Sequence, residues 1–265
     1  MKRYLFDFLE EVINGVKNFS HVLLFLDYDG TLVPICRKPS LAKLSLEEKK
    51  ILRSLSRLPW LSVGIISGRS LKEIRKLVGI KDLFYAGNHG FEILFLERIW
   101  VHPNLKSFES TLKRVTCELK RSLKGIHGIL VEDKKVTVSV HYRNLTEKSP
   151  GSILKIVSKV LEPYPEIFTI TRGKKVYEVR PHINWDKGKA VVKISQLLGF
   201  KSRPLKIYIG DDQTDEDAFR VLEEGDISIR VGYKKDSKAR YFCKESSEIL
   251  RFLKQCALVR NSKKR

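Results

Sequence analysis

Short apolar runs that stop abruptly at polar residues recur along the chain. They occupy residues 22–26, 61–66, 83–86, 205–209 and 227–231. Apolar runs of this length, bounded by turn residues, are typical of buried strands in a parallel sheet. Segments with helical spacing of apolar residues lie among them. The pattern therefore predicts an α/β fold with a Rossmann-like core, in which helices alternate with parallel strands.

Helical periodicity in this framework is clear in four segments. They are 46–58, 71–78, 190–198 and 246–258. The first of them follows Ser45, with Glu48 three residues later, which is the signature of a capping box. Residues 1–19 carry Asp7, Glu10 and Glu11 among apolar residues. We interpret that stretch as an amphipathic helix and not as a signal peptide.

The middle of the chain follows a different pattern, which begins at Pro103. Helical and alternating segments there predict the order α-β-β-α-β-β, with elements at 105–123, 126–132, 135–142, 146–161, 168–171 and 175–179. A small α+β block inside a βαβ framework is typical of an inserted domain. We place this domain at 103–182, between framework parts at 1–102 and 183–265.

Composition narrows the choice of partners. The chain has 51 Lys and Arg against 31 Asp and Glu, a formal net charge of +20. Because the basic residues are spread along the chain, without an RNP-like motif, zinc-finger spacing or a basic helix, we expect no nucleic-acid partner. The charge is equally well interpreted as a solvated basic surface that attracts an anionic substrate. No segment approaches the ~18 apolar residues of a membrane span, so we expect no membrane partner.

The four cysteines lie far apart and form no CxxC motif. This spacing argues against a zinc site and against a disulfide framework, and it fits the reducing cytoplasm.

Two carboxylates follow the first long strand. Asp27 and Asp29 lie two residues apart on extended chain, so their side chains point the same way. A carboxylate is a competent nucleophile toward phosphorus, and Asp27 would take this role. Asp29 would then be general acid to the leaving alkoxide and general base to water. The simpler alternative is an acidic loop after a core strand, and a lone DxD does not decide between them.

Three further groups are candidates for binding phosphate. Ser67 follows strand 61–66 before a helix, where a hydroxyl and free N–H groups make an anion site, although it could serve only as a helix cap. Arg69 could add a fork to a phosphate or to an acid of the site. Lys187 lies near the start of the helix at 190–198, where its ammonium would offset the charges of nucleophile and phosphate. Lys189 is the competing candidate.

An acidic segment follows the strand at 205–209, with five acids at 211–217. These carboxylates would repel one another strongly without a cation. A hard divalent ion with oxygen ligands is the natural remedy, and Mg²⁺ would take one or two carboxylates together with phosphate oxygens and water. Calcium binding of EF-hand type is the rival, but the DxDxDG spacing is absent.

The segments DYDGTL, ISGR, DKGK and GDDQTDED resemble, in this order, the four motifs of the haloacid dehalogenase (HAD) superfamily of phosphatases. The resemblance implies a HAD core with a C2-type cap formed by the inserted domain. It also implies that Asp27 takes the phosphoryl group, that Asp29 is the acid/base and that Ser67 and Lys187 hold the group. The metal would be bound by the Asp27 carboxylate, the backbone carbonyl of Asp29 and Asp211, with Asp212 and Asp215 in supporting positions.

Within the superfamily, the chain resembles the trehalose-6-phosphate phosphatases. The segment GNHG is similar to their GxHG element, which makes Asn88 and His89 substrate candidates. In the inserted domain, polar residues at strand ends and hairpins suit a hydroxyl-rich ligand, although each could equally be part of a solvated face. The resemblance adds that the segments VEDK, HYRN and RGKKVYEVRP hold the sugar. The candidates are Glu132, Lys134, Arg143, Asn144, Lys174 and Glu178.

We therefore expect an Mg²⁺-dependent phosphatase that hydrolyses trehalose 6-phosphate, the last step of trehalose biosynthesis. We expect a monomer that works with a separate trehalose-6-phosphate synthase. One alternative keeps the chemistry and changes the substrate to sucrose 6-phosphate, mannosyl- or glucosyl-3-phosphoglycerate or a simple hexose phosphate. A second alternative, from another class, is a basic nucleic-acid or scaffold protein with a relic acidic site.

Overall fold

A computed structural model describes residues 2–36, 39–146 and 149–259. The chain divides into two compact units. The first comprises Met1–Trp100 and Trp185–Arg265, and the second comprises Val101–Asn184. Part of the predicted helix at 146–161 and the basic tail at 260–265 lie outside the described residues.

The first unit is built from strands and helices that alternate along the chain. Its strands are β1 (Arg3–Tyr4), β2 (Val22–Leu26), β3 (Leu61–Ile66), β4 (Phe84–Gly87), β5 (Glu92–Phe95), β6 (Arg98–Val101), β11 (Leu205–Gly210), β12 (Ile227–Val231) and β13 (Tyr241–Cys243). Its α-helices are α1 (Leu9–Lys17), α2 (Leu46–Ser56), α3 (Leu71–Val78), α6 (Lys187–Leu198), α7 (Asp215–Arg220) and α8 (Ser246–Leu258).

Among the described residues these strands form one nine-stranded sheet in the order β1-β13-β12-β11-β2-β3-β4-β5-β6. The strands from β1 to β4 in this order are parallel, and β4 pairs with β5 in the antiparallel sense. The central strand β2 lies between β11 and β3, with Leu24 opposite Ile207 and Val63. The predicted α/β fold with a parallel sheet is confirmed.

Alternate residues of the central strand enter two different cores, one on each face of the sheet. Leu24 and Leu26 pack into the core that also receives α1, α2, α3 and α8. Leu23 and Phe25 pack into the other core, with α6 and α7. Because both faces are covered by helices, β2 has no solvent-exposed face and can be apolar throughout. Its polar continuation then lies at the end of the sheet.

The second unit contains α4 (Glu109–Ser122), β7 (Leu130–Asp133), β8 (Val138–His141), α5 (Pro150–Leu161), β9 (Phe168–Gly173) and β10 (Val176–Pro181). Its strands form an antiparallel sheet in the order β7-β8-β10-β9. Apolar residues of α4, α5 and the sheet share one core, among them Val115, Val157 and Val179. This unit has the α-β-β-α-β-β order of the predicted insertion.

Several element boundaries differ from the predicted ones for local reasons. The stretch at 1–19 is not one helix, because Arg3–Tyr4 pairs with β13 and a 3₁₀ turn at Leu5–Phe8 precedes α1. The predicted helix at 105–123 begins instead as a 3₁₀ helix, Pro103–Phe108, before α4. In α6 the helix starts at Lys187, since Asp186 caps it by accepting a hydrogen bond from the Lys189 N–H at 2.8 Å.

Candidate active site

Four adjacent parallel strands end at candidate residues. Asp27 follows β2, Ser67 follows β3, Asn88 follows β4 and Asp211 follows β11. These strands are neighbours in the sheet, in the order β11-β2-β3-β4. The carboxyl ends of parallel strands meet at one edge, which is where ligands bind in open α/β sheets. The chain therefore presents acids and hydroxyls together at that edge.

The centre of the site is a buried lysine between two carboxylates. Lys187 Nζ donates to Asp27 Oδ1 at 2.6 Å and to Asp215 Oδ1 at 2.7 Å. Lys187 is 2% exposed, Asp27 4% and Asp215 0%. Lys189, the competing candidate, is instead part of a half-buried pair with Asp186 at 3.5 Å. Helix α6 thus brings the first of its lysines, and not the second, to the acids.

Asp215 organises this centre through four hydrogen bonds. Its Oδ1 accepts from Lys187 and from the Tyr208 hydroxyl, both at 2.7 Å. Its Oδ2 accepts from the N–H groups of Asp211 and Asp212, at 3.0 and 2.9 Å. Both oxygens are therefore engaged in hydrogen bonds, so Asp215 is suited to hold the acidic turn and the lysine in place. Asp27 and Asp211 are better suited to bind a ligand.

The DYDGTL turn places Asp27 beside Asp211. Thr31 Oγ1 lies 3.3 Å from Asp27 Oδ2 and 3.3 Å from Asp211 Oδ1, so its hydroxyl can donate to either carboxylate. Gly30 has φ +91°, and a Cβ there would lie 2.2 Å from Asp211 Oδ2. A side chain at position 30 would therefore displace the Asp211 carboxylate, which explains why the turn needs glycine.

The electrostatics of this cluster are governed by burial and by the lysine. Burial raises the pKa of Asp27 well above its ordinary value, and Asp215 and Asp211 raise it further, against the opposing effect of Lys187. Burial alone would lower the pKa of Lys187, but the carboxylates of Asp215 and Asp27 hold it above its ordinary value. The lysine therefore stays charged, and Asp27 lacks full compensation of its negative charge.

The cluster fits a divalent cation. Within the described residues, Asp27, Asp211 and Asp215 each place a carboxylate oxygen so that all three oxygens lie within 4.8 Å of one another. Ligand oxygens around an octahedral Mg²⁺ at ~2.1 Å lie about 3 to 4 Å apart, so carboxylates gathered this closely need only small side-chain movements to share an ion. Lys187 contacts two of these three buried carboxylates, and a cation would relieve the repulsion that remains among them.

Asp29 belongs to a second ion-pair cluster at the same edge. Arg69 Nε donates to Asp29 Oδ2 at 2.6 Å and Arg69 Nη2 donates to Asp29 Oδ1 at 2.7 Å. Arg69 Nη1 also donates to Glu73, one turn along α3. Such a two-pronged contact fixes the orientation of a carboxylate. Arg69 therefore contacts an acid of the site, which is one of the two partners predicted for it.

The loops after β3 and β4 are paired with each other. Ser67 is buried, its N–H donates to the Ala86 carbonyl at 2.9 Å, and its carbonyl accepts from the His89 N–H at 2.9 Å. The side chain that caps α3 is Ser70, not Ser67. The interpretation of Ser67 as a helix cap is therefore wrong, and Ser67 Oγ accepts instead from the Arg69 N–H at 3.2 Å.

Asn88 and His89 are buried and adopt left-handed backbone conformations, with φ of 50° and 58°. Asn88 Nδ2 donates to Glu92 Oε2 at 2.7 Å. The His89 ring packs against Gly68, where a Cβ would lie 2.8 Å from the ring. Non-glycine residues rarely adopt this backbone conformation, and such strain clusters at functional sites.

In the second unit, Glu178 contacts one other predicted sugar-binding residue, Lys134, together with two hydroxyl groups that were not predicted. Its Oε1 accepts from Lys134 Nζ at 3.1 Å and from the hydroxyls of Thr137 and Ser139 at 3.2 and 3.3 Å. Glu178 and Lys134 are both buried. This arrangement gives the sheet a rigid polar centre.

The remaining candidates lie along the same sheet. Glu132 Oε2 is 2.7 Å from His141 Nε2, and Arg143 Nη2 donates to the Lys174 carbonyl at 3.0 Å. Asn144 and Lys174 have exposed side chains.

Sequence reasoning missed three contributors to the site. Tyr208 is hidden within an apolar strand, Glu73 looks like an ordinary helix-surface acid, and Arg230 lies in a strand that was predicted only as a buried apolar run. The i,i+4 spacing of Arg69, just before α3, and Glu73, in the first turn of α3, is the one signal that could have found a member of this group.

Known proteins resemble this chain along nearly its full length. The trehalose-phosphatase family model matches residues 25–247. Trehalose-phosphate phosphatase B of Arabidopsis thaliana is 34% identical, over 93% of this chain and 68% of the relative. The probable trehalose-phosphate phosphatase 2 of Oryza sativa subsp. japonica is 36% identical, over 94% of this chain and 71% of the relative.

Solved structures agree. The C-terminal domain of Candida albicans trehalose-6-phosphate phosphatase has a TM-score of 0.83 at 25% identity, covering 97% of this chain and 99% of that one. A haloacid dehalogenase-like hydrolase from Bacteroides thetaiotaomicron shares the fold, with a TM-score of 0.64 over 89% of this chain and 99% of that one. The chain therefore belongs to the trehalose-phosphatase family, as its motifs predicted, and it shares its fold with a haloacid dehalogenase-like hydrolase.

Proposed function

We propose that this protein is an Mg²⁺-dependent phosphatase that hydrolyses trehalose 6-phosphate to trehalose and phosphate through an aspartyl-phosphate intermediate. The observation that carries the proposal is the buried contact of Lys187 with Asp27, beside Asp211 at the carboxyl edge of the sheet. The names of the relatives in plants and of the C. albicans domain support this choice of substrate.

In the first step Asp27 attacks phosphorus, and the bond from phosphorus to the sugar oxygen breaks as the bond to the Asp27 oxygen forms. Asp29 enters this step protonated and turned away from Arg69, and it gives its proton to the leaving sugar oxygen. Arg69 then holds the resulting Asp29 carboxylate at the edge of the sheet until the second step. Lys187 stays charged because of its two carboxylate partners, so it offsets negative charge on the nucleophile and the phosphoryl group. Ser67 would hold a phosphoryl oxygen.

In the second step a water molecule attacks the phosphoryl group on Asp27. Asp29 takes the proton of this water, and the Asp27 carboxylate is released together with phosphate. Asp27 and Asp211 would hold Mg²⁺ together with the Asp29 backbone carbonyl, and the bound ion supplies positive charge to the phosphoryl oxygens. Asp215 is the residue that fixes the turn and not a ligand, since its oxygens already accept four hydrogen bonds.

We further propose that the second unit is the cap that recognises the sugar. Its buried Lys134 and Glu178 combine a donor and an acceptor, as hydroxyl groups require. We assign the same role to Glu132, Arg143, Asn144 and Lys174, and to Asn88 and His89 in the first unit.

The supply of substrate and the compartment follow from the same proposal. Trehalose 6-phosphate must come from a separate synthase, and we expect the phosphatase itself to be a monomer. Cys243 and Cys256 are buried thiols, which suits the reducing cytoplasm. Within the described part of the chain no helix has the length and apolar character needed to cross a membrane.

The test is phosphate release with Mg²⁺ from a panel of esters: trehalose 6-phosphate, sucrose 6-phosphate, glucose 6-phosphate and mannosyl- and glucosyl-3-phosphoglycerate. We expect the highest kcat/KM for trehalose 6-phosphate. A higher value for any other ester would overturn the proposed substrate and leave the chemistry standing. Loss of phosphate release on removal of divalent cations with a chelator, and its recovery with Mg²⁺, is the expected result for the cofactor.

A further inference from the structure

A buried arginine lies behind the acidic turn that follows β11. Arg230, on β12, is 9% exposed. Its Nη1 donates to the Asp212 carbonyl at 3.1 Å, and its Nη2 donates to the Asp211 carbonyl. One guanidinium therefore grips two consecutive carbonyl groups of the turn. The carbonyl of Asp211 points to Arg230. The carboxylate of Asp211 is therefore left on the side of Asp27, where the ligand would bind.

A buried glutamate holds the arginine in this position. Arg230 Nη1 also donates to Glu216 Oε1 at 2.9 Å, and Glu216 is 2% exposed. The other oxygen, Glu216 Oε2, accepts from the Lys238 N–H at 2.6 Å. Glu216 belongs to α7, so it links the helix after the acidic turn to the strand that carries the arginine and to the segment before β13. The guanidinium is thus fixed from two sides.

Burial of the Arg230 guanidinium lowers the stability of the fold. Arg230 Nε is buried and has no hydrogen-bond acceptor within the described residues. A buried donor without an acceptor destabilises a fold, and a pair of apolar residues would avoid this cost. Local rules of folding are broken mainly where function requires it. The site that this arginine supports is the Asp27–Asp211 cluster.

We propose that Arg230 is a positioning residue for the divalent-cation site, acting through the backbone of Asp211 and Asp212 and held by Glu216. The proposal rests on the proposed function, in which Asp211 binds the cation. With the two carbonyls fixed, the Asp211 carboxylate remains turned toward Asp27. Without the guanidinium the turn loses two anchors, and the carboxylates meet less often in the geometry that the ion demands. Groups that orient metal ligands are typically worth about 10 to 100-fold in metal affinity.

The test is Mn²⁺ binding to the full-length protein without substrate, measured by electron paramagnetic resonance. Arg230→Lys keeps the positive charge but cannot bridge two carbonyls and Glu216 at once. We expect it to weaken Mn²⁺ binding by about tenfold or more. The matched control is Arg203→Lys, because Arg203 also donates to a carbonyl, that of Glu224, and to a carboxylate, that of Glu223, each at 3.1 Å. It precedes β11, at the opposite end from the acids, and should leave Mn²⁺ binding unchanged.

A second variant and a second readout guard against simple misfolding. Glu216→Gln removes the charge that holds the guanidinium and should weaken Mn²⁺ binding in the same direction. In both variants we expect raised Mg²⁺ to restore kcat for phosphate release toward the wild-type value. Wild-type Mn²⁺ affinity in Arg230→Lys, or a loss of kcat that no concentration of Mg²⁺ restores, would overturn the positioning role. If the wild-type protein itself bound no Mn²⁺, the metal site of the proposed function would fall as well.

Discussion

Replacing Lys187 with methionine removes a positive charge that contacts both Asp27 and Asp215, and it keeps the approximate length of the side chain. Three buried carboxylates then remain near one another. Without a cation, the folded state must either tolerate their repulsion or take up a proton. We therefore expect the variant to be much less stable than the wild type in metal-free buffer.

The size of the effect follows from the contacts. Removal of one partner from a buried ion pair costs about 3 to 5 kcal/mol, since the remaining charge is left without compensation. The Lys187 ammonium is 2% exposed and donates at 2.6 and 2.7 Å, so solvent does not screen the loss. In a chain of this size each kcal/mol corresponds to about 2 °C, which gives a fall in Tm of about 6 to 10 °C. The fall in Tm is at the lower end of this range if Asp27 takes up a proton, because protonation removes part of the repulsion between the carboxylates.

The assay is thermal unfolding at about pH 7.5, followed by calorimetry with a chelator and again with Mg²⁺. A bound cation stabilises the folded state by mass action, and the variant has more repulsion to relieve, so Mg²⁺ should raise its Tm more than that of the wild type. Lys189→Met is the control, because Lys189 lies two residues along the same helix in a pair with Asp186 that is much more accessible to solvent than Lys187. A Lys187→Met protein that melts within about 2 °C of wild type without metal would refute the reasoning.

Three further outcomes are expected. Asp27→Asn should lower phosphate release at least ~10³-fold with the melting temperature retained, and near-normal turnover would remove the covalent mechanism. Lys134→Met should raise KM for trehalose 6-phosphate more than it lowers kcat, and an unchanged KM would exclude Lys134 from sugar binding. Burial raises the pKa of Glu92 above its ordinary value, against its bonds from Asn88 and Leu71, so its protonated form favours folding and wild-type stability falls as pH rises through that pKa. Glu92→Gln should therefore match wild type in thermal melts near pH 4 and exceed it near pH 7.5, whereas a constant difference would contradict this.

The residues at strand ends were predictable because one sequence pattern identifies both the strand and the residue that follows it. An apolar run followed at once by a carboxylate marks both the strand and its polar end, as in Val22–Leu26 before Asp27 and Leu205–Gly210 before Asp211. Once the strands are parallel, such ends must meet at one edge. The approach of Asp27 to Asp211 therefore follows from order along the chain and from topology.

Contacts that depend on three-dimensional packing were not predictable in the same way. Tyr208 lies in a strand whose apolar pattern hides its hydroxyl, and only the position of α7 brings Asp215 to it at 2.7 Å. Arg230 interrupts an apolar strand without any sequence signal for its carbonyl partners. The short strand β1 was missed because two residues are too few to show a periodicity. Its extended conformation comes instead from its pairing with β13.

Nucleophilic attack by Asp27 is tested most directly by the stereochemical course at phosphorus. The substrate would be trehalose 6-phosphate whose phosphoryl group is made chiral with sulfur and oxygen isotopes, hydrolysed in isotopically labelled water. Transfer to Asp27 and then to water consists of two in-line displacements, so we predict net retention of configuration. Net inversion would mean that water attacks the ester directly, and it would contradict an aspartyl-phosphate intermediate on Asp27.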